Sequence, residues 1–130
     1  MATTRRVNAG QKAGHPKRGE IYLTALEPTL GHEIKKTQPA VVIQNDITNR
    51  VSRLTIVAPI TSKIRFPLNP VYVLIPGNTT TGLTVTSVAQ LSQIRAVDRM
   101  RLIKRLGEID SDTMERIDEA IKISLGLVQL

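Results

Sequence analysis

From Glu20 onward the chain reads as a succession of short strands. Glu20–Leu26 alternates around Ile21, Leu23 and Ala25, the period of a strand with one buried face. Ala40–Gln44 is a continuous, largely β-branched run, as expected of a strand buried on both faces. Leu54–Ala58 predicts a third strand stopped by Pro59, and Val71–Ile75 a fourth, closed by the turn signal Pro76-Gly77-Asn78. Thr84–Leu91 and Ile94–Val97 predict two more. Leu102, Ile103 and Leu106 predict a short helix or turn followed by a strand. Polar, Gly- and Pro-marked loops fall at Glu27–Gln38 and Phe66–Pro70.

Near the end the period lengthens. Met114, Ile117, Ala120, Ile121, Ser124, Leu125 and Val128 recur every ~3.6 residues, with Asp118, Glu119 and Lys122 on the other face. Asp110 or Asp112 can cap this helix, and Asp112-Thr-Met-Glu115 resembles a capping box. The pattern predicts a helix over about Ser111–Leu127 that stops near Gly126. Met1–Pro16 has no such period and reads as a disordered basic arm (1–16), with His15 idle in it, leaving 17–130 as the folded domain. Together the elements predict an α+β fold, a small β-barrel of five to seven short strands capped by a C-terminal amphipathic helix.

Composition narrows the chemistry. At 130 residues the chain suits one domain and one core. Phe66, Tyr22 and Tyr72 are the only Phe, Tyr or Trp residues, so the core rests on Val, Ile and Leu, and the composition argues against an aromatic platform for stacking bases. A core this small would gain from dimerisation. The absence of cysteine removes disulfides, thiol catalysis and most structural zinc sites. With two histidines and no Asp/Glu cluster, no metal or other cofactor is expected. No apolar run approaches the roughly 18 residues of a membrane helix, which predicts a cytoplasmic protein without a membrane partner.

The net charge of +7 is unevenly placed. Residues 1–19 hold five basic residues and no acid, residues 20–105 eleven basic and five acidic, and residues 106–130 two basic and six acidic. A positive middle suits an anionic partner, nucleic acid or acidic peptide, and equally an ordinary solvated surface.

No Walker, Gly-x-Gly-x-x-Gly or Gly-x-Ser-x-Gly pattern occurs. What remains is Leu30–Pro39, which gathers His32, Glu33, Lys35 and Lys36 on one segment. RNA carries its own nucleophile, the 2′-hydroxyl, so a protein can cleave it by moving protons and stabilising the phosphorane. His32 could move the proton near neutral pH. Thr61-Ser62 could hydrogen-bond a phosphate oxygen. The same residues also fit an exposed loop histidine, solvated lysines and a chain turn.

Seven motifs follow in order: Arg18-Gly19-Glu20-Ile21-Tyr22, Glu27-Pro28-Thr29, Gly31-His32-Glu33, PAVVIQNDITN from Pro39, Val57-Ala58-Pro59-Ile60-Thr61-Ser62, Gln93-Ile94-Arg95-Ala96-Val97-Asp98 and Ile123-Ser124-Leu125-Gly126-Leu127. In this order and spacing, from Arg18 to Leu127, the chain resembles the MazF/PemK toxins of bacterial type II toxin–antitoxin pairs. The resemblance implies an SH3-like barrel with a C-terminal helix, assembled as a homodimer. It implies metal-independent, sequence-specific cleavage of single-stranded RNA, including mRNA, leaving a 2′,3′-cyclic phosphate and a 5′-hydroxyl. It also implies an acidic antitoxin whose disordered tail lies across the RNA groove.

Roles carry over residue by residue. Thr61 matches the family's catalytic threonine. Gln38 stands where many members have an arginine that stabilises the phosphorane. In the PemK-like branch a histidine acts, matched by His32, but Gln90 and Ser92 replace the arginine and aspartate that accompany it. The implied catalytic set is therefore Gln38, Thr61 and His32, with RNA contacts from Glu33, Lys35, Lys36, Asn49, Ser62, Gln93 and Arg95. For Gln93 and Arg95 a strand-end hydrogen-bond network is the equal alternative. Glutamine donates a hydrogen bond without charge, and losing one charged donor of this kind costs about 10²–10³ in rate by analogy with an oxyanion hole. Three readings stay open: a scaffold silenced at position 38, a nuclease in which His32, Glu33 or Lys36 compensates, and a non-catalytic module that binds antitoxin or RNA. A CcdB-like gyrase inhibitor belongs to the last class and is disfavoured, because this chain lacks the tryptophan of that group's C-terminal end.

Overall fold

A computed structural model describes residues 14–26 and 37–129. Its seven strands are β1 (Glu20–Ala25), β2 (Thr37–Val42), β3 (Leu54–Thr61), β4 (Tyr72–Ile75), β5 (Ser87–Gln90), β6 (Arg95–Asp98) and β7 (Leu102–Glu108), with helices α1 (Asp46–Val51) and α2 (Ser111–Ser124). They form one antiparallel sheet in the path β4-β5-β3-β2-β1-β7, with β6 also beside β3.

β3 organises this sheet. One edge pairs with β2, Ala40 opposite Pro59 and Val42 opposite Val57. The other edge is divided: Leu54–Val57 pairs with β6, and Ile60–Thr61 with β5. Pro59 was expected to end the strand and does not. It falls where the partner on the divided edge changes over, so its missing N–H interrupts no continuous ladder there. The barrel does not close by strand pairing, since β4 and β7 stand at opposite ends of the path. The β4–β5 connection bridges part of the gap: the Glu108 N–H donates to the Thr80 carbonyl at 2.9 Å. Gly107 is required there, because a Cβ would sit 2.2 Å from that same carbonyl oxygen.

Other boundaries move for local reasons. The turn expected at Leu102–Leu106 lies earlier, as a 3-10 turn over Arg99–Arg101, and those apolar residues belong to β7 itself. α1 has no counterpart in the hydrophobic pattern, being six residues long; Asn45 caps it through Thr48 N–H. In β1 the buried positions are Ile21 and Thr24 rather than Leu23 and Ala25. The sheet bends there, so the face covered at Ile21 opens at Leu23 while the opposite face closes over Thr24 and Leu26. The last three residues of the expected arm, Gly14–Pro16, lie against the fold, with Pro16 buried and Gly14 O accepting from Arg99. Residues 1–13 fall outside the described residues.

Asp110 caps α2 by accepting from Thr113 N–H at 2.8 Å. The helix ends at Ser124, and Gly126 turns the chain with a φ of +76°. Two contacts dock it: Arg18 Nη2 with Asp118 Oδ1 at 2.6 Å, and Ser124 Oγ donating to Leu91 O at 2.7 Å. Ile117 and Ala120 of α2 press into a core with Ile21, Val41, Ala58, Ile60, Val73 and Ala89. A second apolar cluster, Leu26, Ala40, Val42, Val57 and Val97, occupies the opposite face. β2 is thus buried on both sides, as its β-branched run predicts.

Candidate functional site

Residues directly opposite on paired strands point to the same face. Thr24 of β1 lies opposite Gln38 of β2. Continuing the β2–β3 register two residues beyond Ala40–Pro59 sets Gln38 opposite Thr61. By the same alternation both share the face of Ala40, Val42 and Val57, turned away from α2. The structure therefore brings Gln38 and Thr61 together at adjacent strand ends.

Their hydrogen bonds set what each can offer. Gln38 is half-buried, and its Nε2 donates to the Ile60 carbonyl at 3.2 Å, leaving a second amide N–H to donate. Thr61 Oγ1 accepts from the Lys63 N–H at 3.2 Å, which leaves the hydroxyl proton for a ligand. Ser62 follows, exposed. Lys63 was not singled out from the sequence. Its signal is its position two residues past Thr61, and the same Oγ1 bond fixes its backbone beside the pair.

Gln93 and Arg95 stand apart from this pair. Arg95 opens β6 opposite Val57, so it shares the face but lies about 13 Å along β3 from Thr61. Gln93 is exposed at the end of the 3-10 turn Leu91–Gln93 just before it. His32, Glu33, Lys35 and Lys36 fall outside the described residues.

Asn49 is a correction. It was expected to touch RNA, yet its side chain is fully buried in α1. Its Oδ1 accepts from Gln44 Nε2 and Thr55 Oγ1, both at 2.8 Å, and its Nδ2 donates to Gln44 O at 2.9 Å and Asp46 Oδ1 at 3.2 Å. These four bonds use the amide's whole capacity, so Asn49 braces the β2–β3 connection. Asp46 joins that brace by accepting from the Arg18 N–H at 2.8 Å. Burial alone would raise its carboxyl, but that bond and the Asn49 amide outweigh burial and hold it below the usual aspartate range.

Among the described residues no group of three or more His, Asp or Glu side chains is placed to hold a metal ion, and no helix is long and apolar enough to cross a membrane. The arrangement can donate hydrogen bonds to an oxyanion from Thr61 and Gln38 on the sheet face turned away from α2.

The family model for PemK-like, MazF-like toxins of type II toxin–antitoxin systems matches residues 17–125. Endoribonuclease EndoA of Bacillus subtilis (strain 168) is 41% identical over 112 residues, 86% of this chain and 96% of that protein. A mycobacterial endoribonuclease solved in complex with its cognate antitoxin superimposes with a TM-score of 0.70 at 25% identity, covering 88% of this chain and 99% of that one. MazF (Form-I) from Deinococcus radiodurans superimposes with a TM-score of 0.68 at 26% identity, covering 86% and 97%.

Proposed function

The chain belongs to the PemK-like, MazF-like toxins of type II toxin–antitoxin systems, and from that premise we propose that it is an endoribonuclease that cuts single-stranded RNA. The observation that supports the reading is the β2–β3 register, which, continued two residues past Ala40–Pro59, sets Gln38 opposite Thr61 on the face away from α2. In the reaction the RNA 2′-oxygen attacks the neighbouring phosphorus and the P–O5′ bond breaks. The 2′ proton goes to His32, and the leaving 5′-oxygen takes up a proton from solvent, which His32 then replenishes, giving a cyclic phosphate and a 5′-hydroxyl. Thr61 O–H and Gln38 N–H donate to the phosphorane oxygens, and Lys63, whose backbone N–H bonds Thr61 Oγ1, is assigned the charge that glutamine lacks. Glu33, Lys35, Lys36, Ser62, Gln93 and Arg95 hold the flanking strand, while Asn49 acts through the backbone it braces.

The toxin works in the cytoplasm, where messenger RNA is. An acidic antitoxin complements its basic surface. Exposed Leu125, Leu127 and Val128 beyond α2 supply apolar area for a homodimer. A second reading, a module that binds without cutting, rests on the neutral amide at position 38.

The test is cleavage of a long single-stranded RNA in EDTA by this protein beside its Gln38→Arg variant. The variant should cut about 10²–10³ faster at the same sites. Silence from both, with the proteins folded, overturns the nuclease reading and leaves the binding module.

A further inference from the structure

Among the described residues a recess lies on the far side of β1 from β2. Its volume is about 780 Å³, between the chain entry at Gly14–Lys17, the start of β1 and the run Arg99–Arg105. Tyr22 of β1 lines it and lies opposite Ala40, two residues along from the Thr24–Gln38 pair. The recess thus begins about 8 Å from Gln38, two residues and one strand spacing away on the same face.

Its electrostatics are lopsided. Four fixed cations line it, Lys17, Arg99, Lys104 and Arg105, against one carboxylate, Glu20. That carboxylate is already engaged: Oε2 accepts from Arg105 Nε at 2.9 Å, and Oε1 from the Tyr22 hydroxyl at 2.9 Å and the Lys17 N–H at 2.8 Å. Arg99 is oriented by two carbonyls, Ser52 O at 3.2 Å and Gly14 O at 3.1 Å, which aim its guanidinium without cancelling its charge. The Lys17 and Lys104 ammonium groups make no ion pair among the described residues. Three positive charges are therefore left for a ligand. Burial, with the Glu20 carboxylate beside it, pushes the Tyr22 phenol well above its usual value, so the hydroxyl stays a fixed donor to Glu20.

The walls are not only charged. Met100 is 83% exposed and Ile103 53%, both lining the recess. Apolar surface set among cations suits a nucleotide, whose sugar and base edges need cover while its phosphate needs charge. We infer that this recess is a phosphodiester-binding exosite, holding the backbone of the same RNA strand to one side of the bond that is cut. The inference rests on the nuclease reading for its ligand. RNA is favoured over an acidic peptide because the recess is continuous with the face that carries Gln38 and Thr61.

The experiment measures binding of a fluorescent single-stranded RNA by anisotropy across a salt series, so that it does not depend on cleavage. It uses the full chain, a Lys17→Ala/Lys104→Ala double variant, and Lys122→Ala on α2 as the control. Losing two phosphate contacts should flatten the slope of log K against log salt by about 1.4, at about 0.7 per contact on a single strand. Lys122→Ala should leave the slope unchanged. In cleavage, the double variant should raise KM and leave kcat in place. A double variant that melts normally yet keeps the parent slope overturns the exosite. If a poly-glutamate peptide binds through the two lysines while RNA does not, the exosite is again overturned and the recess takes acidic peptide. Failure of the parent chain to bind RNA at all overturns the nuclease reading as well.

Discussion

The two faces of the sheet share strands and differ in what lies over them. One is apolar across its width and sealed by α2, with Ile60 and Ala58 beneath Ile117 and Ala120. The other has an apolar floor, Ala40, Val42 and Val57, but its rim turns polar at Gln38 and Thr61 and basic at Arg95. The helix that seals the first face carries Asp112, Glu115, Asp118 and Glu119, whereas the recess beside the second is lined by cations. At the end of β3 neighbouring residues face opposite ways: Ile60 packs into the core beneath α2, and Thr61 is turned to the face away from it. Rigidity and chemistry are therefore separated by a single step along the chain, and substitutions should sort by which way they point.

The strongest way to break that separation is Ile117→Ala. Truncating a fully buried isoleucine under the sheet should cost about 2–5 kcal/mol of stability in denaturant unfolding. The RNA-binding slope of the molecules that remain folded should not change. A changed slope would mean that α2 also shapes the opposite face. Asn49→Ala comes next, at about 1–3 kcal/mol, because it strips the Thr55 hydroxyl of its acceptor inside the brace. That variant sharpens the comparison: if Asn49 only braces, kcat should fall no further than the folded fraction does.

pH provides smaller effects, one from each end of the scale. The Tyr22 phenol titrates higher in the folded protein than its ordinary value of 10.0. Above pH 10 the unfolded chain releases that proton first, so stability should fall as pH rises, and Tyr22→Phe should flatten the decline. Thermal melts across alkaline pH measure it. Asp46 is shifted the other way, below its ordinary 3.8. Its contribution is present above that value and is lost as pH falls through the lower folded value. Asp46→Asn should remove a small part of the acid sensitivity in melts below pH 5.

Much of this architecture was legible because strand and helix periods survive in an aromatic-poor chain. α2 is marked both by its period and by Asp110, and β2 by an unbroken β-branched run. α1 was not, since six residues are too few to establish a period and only Asn45 marks its start. Pro59 misled for a different reason: a proline's effect depends on which edge is paired, and pairing is a tertiary fact. The bend that buries Thr24 in place of Leu23 is tertiary too. Within the candidate site, Thr61 and Gln38 were found through motif resemblance, and the register then set them side by side. Asn49 looked like a surface contact because a polar side chain carries no sign that its partners are internal. Lys63 passed unnoticed because a lone lysine after a strand reads as ordinary solvation.

The divided edge of β3 has a consequence for the order in which the molecule is assembled. Its pairing with β2 joins residues 15 to 19 apart in sequence, while Ile60 and Ala89 are 29 apart and Leu54 and Asp98 are 44 apart. Loop closure favours the shorter separations, and during synthesis the β2–β3 pair emerges first. Among the pairings of β3, the hairpin that aligns Gln38 with Thr61 is thus the first that can form, added to a β1–β2 hairpin whose partners lie 12 to 20 apart. The helix that covers Ile60 leaves the ribosome after every strand of the sheet, so the nascent chain exposes that apolar face until α2 is made.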